Sequence, residues 1–105
     1  MPLTRDFKET IKARVETDMA FRAALLCEAI EALLEGDTET GKAVLRDYIN
    51  ATIGFEGLAK DTGKDPKSLM RMLSFKGNPR ADNLFAVIHH LQKSTGVHLA
   101  VQAGA

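Results

Sequence analysis

The spacing around Gly63 constrains this chain most. Phe55-Glu56-Gly57-Leu58-Ala59-Lys60-Asp61-Thr62 and Pro66-Lys67-Ser68-Leu69-Met70-Arg71-Met72-Leu73 both carry apolar residues at helical intervals, and only Gly63-Lys64-Asp65 separates them. Helices this short do not persist alone in water, so each must pack against something else. Gly63 supplies the left-handed conformation that ends the first helix. Asp65 is a capping residue, and Pro66 takes the first helical position, where its missing N–H has no partner to lose. Two helices joined so tightly cross closely, which calls for a small residue such as Ala59 at the crossing. Leu58, Leu69 and Met72/Leu73 are then left to tie the pair to the rest of the chain.

The rest of the chain reads mainly as helix. Phe7, Ile11 and Val15 recur at four-residue spacing, with Asp6 and Glu9 placed as a start signal. Asp18 caps a second run, Met19 to Glu35, in which Leu25/Leu26, Ala29/Ile30 and Leu33/Leu34 form a face, and Gly36-Asp37 ends it. Thr38 or Thr40 caps a third run carrying Val44/Leu45, Tyr48/Ile49 and Ile53. Pro66 to about Ser74 is followed by the break Lys76-Gly77-Asn78-Pro79, and a last helix beginning near Asp82 presents Leu84, Val87/Ile88 and Leu91 before Gly96. Val97, Leu99 and Val101 alternate with His98, Ala100 and Gln102, the pattern of a short strand. The expected fold class is therefore all-α: a helical bundle whose one domain, over 38–105, holds the short helix pair, with an N-terminal helical extension over 1–37 and a short C-terminal strand.

At 105 residues the chain can bury a modest core without disulfides or metal. A single cysteine excludes an internal disulfide and a cysteine-rich zinc site, and no apolar run reaches the ~18 residues of a membrane span. With no apolar leader in the first residues, a cytoplasmic setting is expected. Net charge is zero but unevenly placed: residues 1–53 sum to −3 and residues 54–105 to +3. Between Lys60 and Arg80, six basic residues face only Asp61 and Asp65. That distribution suits an acidic half facing solvent or protein and a basic half facing phosphate.

Two short helices across a glycine turn are the geometry of a helix-turn-helix. On the outer face of the second helix, Lys67, Ser68 and Arg71 project together, and an arginine there is able to bond a guanine edge bidentately. The series Leu58-Ala59, Thr62-Gly63, Leu69-Met70-Arg71 resembles the lambda-repressor-like helix-turn-helix signature. Leu73-Ser74-Phe75-Lys76-Gly77-Asn78-Pro79 is similar to the stretch that follows the recognition helix in addiction-module antidote proteins, the antitoxins paired with RelE-like or HigB-like ribonuclease toxins. The resemblance extends loosely over residues 18–102 and departs at Pro66, where Ser or Arg is common, and at Met70, where Tyr is common. It implies binding to double-stranded DNA as a homodimer, autoregulation, and a toxin partner. Carried over by position, Lys67, Ser68 and Arg71 become base-reading residues, and Lys76, Asn78 and Arg80 become phosphate contacts. A stand-alone transcriptional regulator, and a protein-interaction module that keeps the fold without DNA binding, are the alternatives.

Other signals lead nowhere. Gly36 to Ala43 nearly spells a phosphate-binding loop, but Ala43 stands where a magnesium-binding hydroxyl is needed, Asp37 and Glu39 would repel phosphate, and a helix precedes it instead of a strand. His89 and His90 point roughly 100° apart on a helix and so do not share a metal. Cys27, on an apolar helix, reads as a buried small hydrophobe. No nucleophile–base arrangement or paired carboxylates argue for an enzyme, and no cofactor is implied.

Overall fold

The computed structural model describes residues 5–104, and every regular element among them is a helix: α1 (Arg5–Thr17), α2 (Met19–Leu34), α3 (Thr38–Ala51), α4 (Gly54–Thr62), α5 (Pro66–Met72) and α6 (Ala81–Thr95). The caps are local and chemical. Asp18 accepts a hydrogen bond from the Phe21 N–H at 3.1 Å, and Asp65 accepts one from the Ser68 N–H at 3.2 Å. The third helix differs from expectation, since Asp37 rather than Thr38 or Thr40 is its cap and takes the Thr40 N–H at 3.2 Å. An aspartate one residue earlier reaches the free amides first, and the two threonines become part of the first turn. α1 likewise begins before Asp6, which sits in its first turn. Gly63 closes α4 at φ 71°.

α3 occupies the centre, in contact with α1, α2 and α4, while α4 in turn packs on α5 and α6. One buried cluster takes Leu26 and Ala29 from α2, Leu45, Tyr48 and Ile49 from α3, Phe55, Leu58 and Ala59 from α4, Leu69 and Leu73 from α5 and its end, Val87 and Leu91 from α6, and Val97 beyond it. Two polar ties fasten its edges. The Arg22 guanidinium donates to the Val15 carbonyl through Nε and Nη2 (2.9 and 2.8 Å) and to the Thr95 carbonyl at 2.8 Å, so one side chain satisfies carbonyls at the ends of both α1 and α6. The buried Tyr48 hydroxyl donates to Thr95 Oγ1 at 2.7 Å, and Thr95 donates onward to the Leu91 carbonyl at 2.6 Å.

The expected C-terminal strand is absent from the described residues. Residues 97–104 hold no regular structure: Val97 is buried, Leu99 is half-buried, and Val101 is 95% exposed. The alternation serves to drop two side chains onto the core edge, and with no neighbouring strand the Leu99 N–H donates instead to Gln92 Oε1 at 2.8 Å. Cys27 also departs from expectation, since it is exposed. α2 is apolar around much of its circumference, so its composition does not single out the buried side, and Cys27 lies one residue past the fully buried Leu26.

Candidate functional site

α5 is seven residues long, and its position is set from beneath. Leu69 and Leu73 are fully buried, which fixes its rotation and leaves Lys67, Ser68 and Arg71 exposed. The N-terminal end is tied by the Asp65 cap, and the preceding turn by Lys64, whose Nζ donates to Asn83 Oδ1 of α6 at 3.0 Å.

The chain then turns sharply. The Ser74 N–H and hydroxyl both donate to the Arg71 carbonyl (3.2 and 2.7 Å), and the Gly77 N–H donates to the Ser74 carbonyl at 2.9 Å. Gly77 fits because it lacks a side chain: a Cβ there would lie 2.3 Å from the Arg71 carbonyl oxygen and 2.5 Å from that of Met72. After this turn Lys76, Asn78 and Arg80 are exposed, and Arg80 begins α6 as its N-terminal flanking residue.

The fold brings most of the sequence-derived residues to one surface. A concavity of about 590 Å³ is lined by Ser68 and Arg71 of α5, by Lys76, Asn78 and Arg80 of the following loop, and by Lys64 and Asn83 on its flank. Lys67 is exposed on α5 outside that lining. The concavity is predominantly positive, because Lys64, Arg71, Lys76 and Arg80 line it against the single carboxylate of Asp65. Arg80 lies 3.5 Å from Asp82 in an exposed pair, which screens little. Lys67, Arg71 and Lys76 have no ion-pair or hydrogen-bond partner for their side chains among the described residues. Such a surface offers donors and positive charge to oxyanions, with one helix presenting an arginine and a serine side by side.

Sequence reasoning missed the support behind this surface. Lys42 of α3 is only 3% exposed, and its Nζ donates to the carbonyls of Ser74 (2.9 Å), Phe75 (3.2 Å) and Gly77 (2.7 Å), with the Glu39 carboxylate at 3.0 Å. One turn further along, Arg46 Nη1 donates to the Leu73 carbonyl. The rejected phosphate-loop pattern spans Lys42 without accounting for it. Its place on the Leu45/Ile49 side of α3 was the available signal, since a lysine there must bring its charge to an acceptor.

Elsewhere, His90 is half-buried and His89 exposed, their rings edge to face at 5.7 Å. Among the described residues no group of three or more His, Cys, Asp or Glu is placed to hold a metal ion, and no helix is long and apolar enough to cross a membrane. Asp47 of α3 borders a cleft with Lys8, Ile11 and Lys12 of α1; burial raises its carboxyl above the ordinary range, against the opposing pull of Arg46 and Lys8. No family model, curated protein or solved structure matches this chain.

Proposed function

We propose that this protein is a sequence-specific regulator of transcription that binds double-stranded DNA through α5 and the loop after it. The observation that carries the reading is the concentration of exposed cations on one surface of a chain with zero net charge: Arg71, Lys76 and Arg80 line a single concavity, and Lys67 stands on the same short helix. α4, the turn at Gly63 and α5 would act as a helix-turn-helix, with α5 in the major groove. Arg71, Lys67 and Ser68 would read bases, while Lys76, Asn78 and Arg80 would hold phosphates. A homodimer would set two such helices about 34 Å apart on a pseudo-palindrome. Autorepression, and a role as the antitoxin of a toxin–antitoxin pair, are the narrower forms of the same proposal.

Binding to a fluorescent duplex of the gene's own upstream region, against a scrambled duplex at two salt concentrations, tests it. Tighter and salt-sensitive binding to the upstream duplex is expected. Arg71→Ala should cost about 1–3 kcal/mol on that duplex and relax base preference. An equal loss on both duplexes removes Arg71 from base reading. The second reading, a protein-interaction module, draws on Phe75 and Met70, which are 74% and 47% exposed on the same segment. Capture of a protein partner without retention of either duplex would favour it.

A further inference from the structure

The loop between α5 and α6 presents its side chains outward and its carbonyls inward. Lys76 and Asn78 are exposed, whereas the carbonyls of Leu73, Ser74, Phe75 and Gly77 all point to cations of α3. Burying a lysine ammonium is costly unless its donors are matched, and here three carbonyls and one carboxylate surround it. Two consequences follow for an anion approaching from outside. The carbonyl dipoles that would repel it are turned away, and the loop is ordered before the anion arrives, so little conformational entropy remains to be lost on binding.

We propose that Lys42 and Arg46 are positioning residues, a two-cation clamp on α3 that holds the Leu73–Gly77 backbone in the shape in which Lys76, Asn78 and Arg80 meet phosphate. The proposal rests on the DNA-binding reading for its ligand, but the clamp itself is a property of the free protein. Because Lys42 is covered, it acts through the loop and makes no phosphate contact of its own. That separates it from Lys76. Losing a direct phosphate contact lowers the salt dependence of binding by about one counterion, whereas losing a positioning residue weakens binding without changing that slope.

The test combines two measurements on the full chain. In the parent protein, the Lys42 ammonium should give a nitrogen-15 NMR signal whose protons exchange with water far more slowly than those of Lys67 or Lys76. Lys42→Met keeps the unbranched stem, one atom shorter, and removes the charge. It should weaken binding to upstream and scrambled duplexes alike, by about tenfold, with the parental salt slope. Lys76→Ala, the comparison, should lower the slope by about one. A Lys42 ammonium exchanging as fast as Lys76 overturns the clamp, and this result needs no folded variant. A folded Lys42→Met protein that binds like the parent, or one whose salt slope falls by about one, also overturns it. Parent protein that retains neither duplex removes the DNA reading and the phosphate half of the proposal, while a protected Lys42 ammonium in that same protein upholds the clamp.

Discussion

Three glycines with ordinary negative-φ backbone give a graded test of how the fold is held, because each would present a new methyl group to a different neighbour. Alanine at Gly77 would place its Cβ 2.3 Å from the Arg71 oxygen, 2.5 Å from the Met72 oxygen and 2.9 Å from the Met72 carbonyl carbon. All three are backbone atoms, so no rotamer change relieves the contact. The Arg71 oxygen already accepts two bonds from Ser74, and its withdrawal would break them and pull on the carbonyls that Lys42 holds. Overpacking of about 1–3 kcal/mol, together with the weakening of one or two hydrogen bonds, gives a loss of about 2–4 kcal/mol. Alanine at Gly41 would meet Leu33 Cδ2 and Cγ at 2.5 and 2.6 Å and the Ala29 carbonyl oxygen at 3.2 Å, so the whole half-buried Leu33 side chain must move and the α2 backbone gives a little. The helix-propensity gain of about 0.5–1 kcal/mol offsets part of an overpacking cost of about 1–3 kcal/mol, leaving a loss of about 1–2 kcal/mol. Alanine at Gly57, inside α4, meets Ile53 Cβ at 3.3 Å and should be neutral or stabilising by up to about 1 kcal/mol. Urea unfolding followed by far-ultraviolet circular dichroism ranks the three variants at constant slope. A Gly77→Ala protein as stable as Gly57→Ala would refute the claim that the loop is pressed against the end of α5.

Tyr48→Phe removes the buried hydroxyl bond to Thr95 and should cost about 0.5–1.5 kcal/mol at neutral pH by thermal or urea unfolding. Burial holds the Tyr48 phenol above its ordinary 10.0, so its stabilising contribution is intact below that value and fades as pH rises beyond it; the phenylalanine variant should show a shallower alkaline loss. For Asp47 the carboxyl value is raised above 3.8 by burial, so the native state holds its proton longer than the unfolded chain and stability falls as pH rises through that window. Asp47→Asn should therefore have a higher urea midpoint than the parent at pH 7, and the difference should shrink towards about pH 3; a lower midpoint at pH 7 would contradict the desolvated cleft.

Helix positions were legible because each follows from a local rule: Asp18 and Asp65 cap, Gly63 and Gly96 end helices in the left-handed region, and Leu58, Leu69, Leu73, Val87 and Leu91 lie on the buried side of their helices. What was not legible depends on partners distant in sequence. Alternation at Val97, Leu99 and Val101 satisfies a strand and equally satisfies a tail laid across a core edge, and only the lack of a neighbouring strand decides between them. Exposed Cys27 turns on which side of α2 meets α3, which a helix apolar on several sides does not declare. Of the candidate site, the clustering of Arg71, Lys76, Asn78 and Arg80 needs only a short helix and a tight turn, so the sequence contained it. The ties from Lys42 to residues 74, 75 and 77 span more than thirty positions, and no local pattern encodes them.

Those long ties change what the N-terminal half is for. α3 reaches α5 and its loop through Lys42 and Arg46, reaches α6 through Tyr48, and buries Leu45 and Ile49 in the cluster that also takes Leu26 and Ala29 of α2. The cationic surface is thus underpinned by cations whose positions depend on helices from the acidic half. The opposite charges of the two halves are no obstacle to an anionic ligand, because separation matters more than the sum: at about 0.15 M salt, interactions between exposed charges fade over about 8 Å. A ligand at this surface would meet the exposed Lys67, Arg71, Lys76 and Arg80, and of the acidic half Glu39 also stands near the loop, paired at 3.0 Å with the Lys42 ammonium that grips it. Conversely, a ligand that binds only the clamped loop must stabilise whatever native packing holds that loop in place. Zero net charge describes the whole chain; on the clamp proposal, affinity at this surface would follow how firmly α3 holds the loop that presents the local charge.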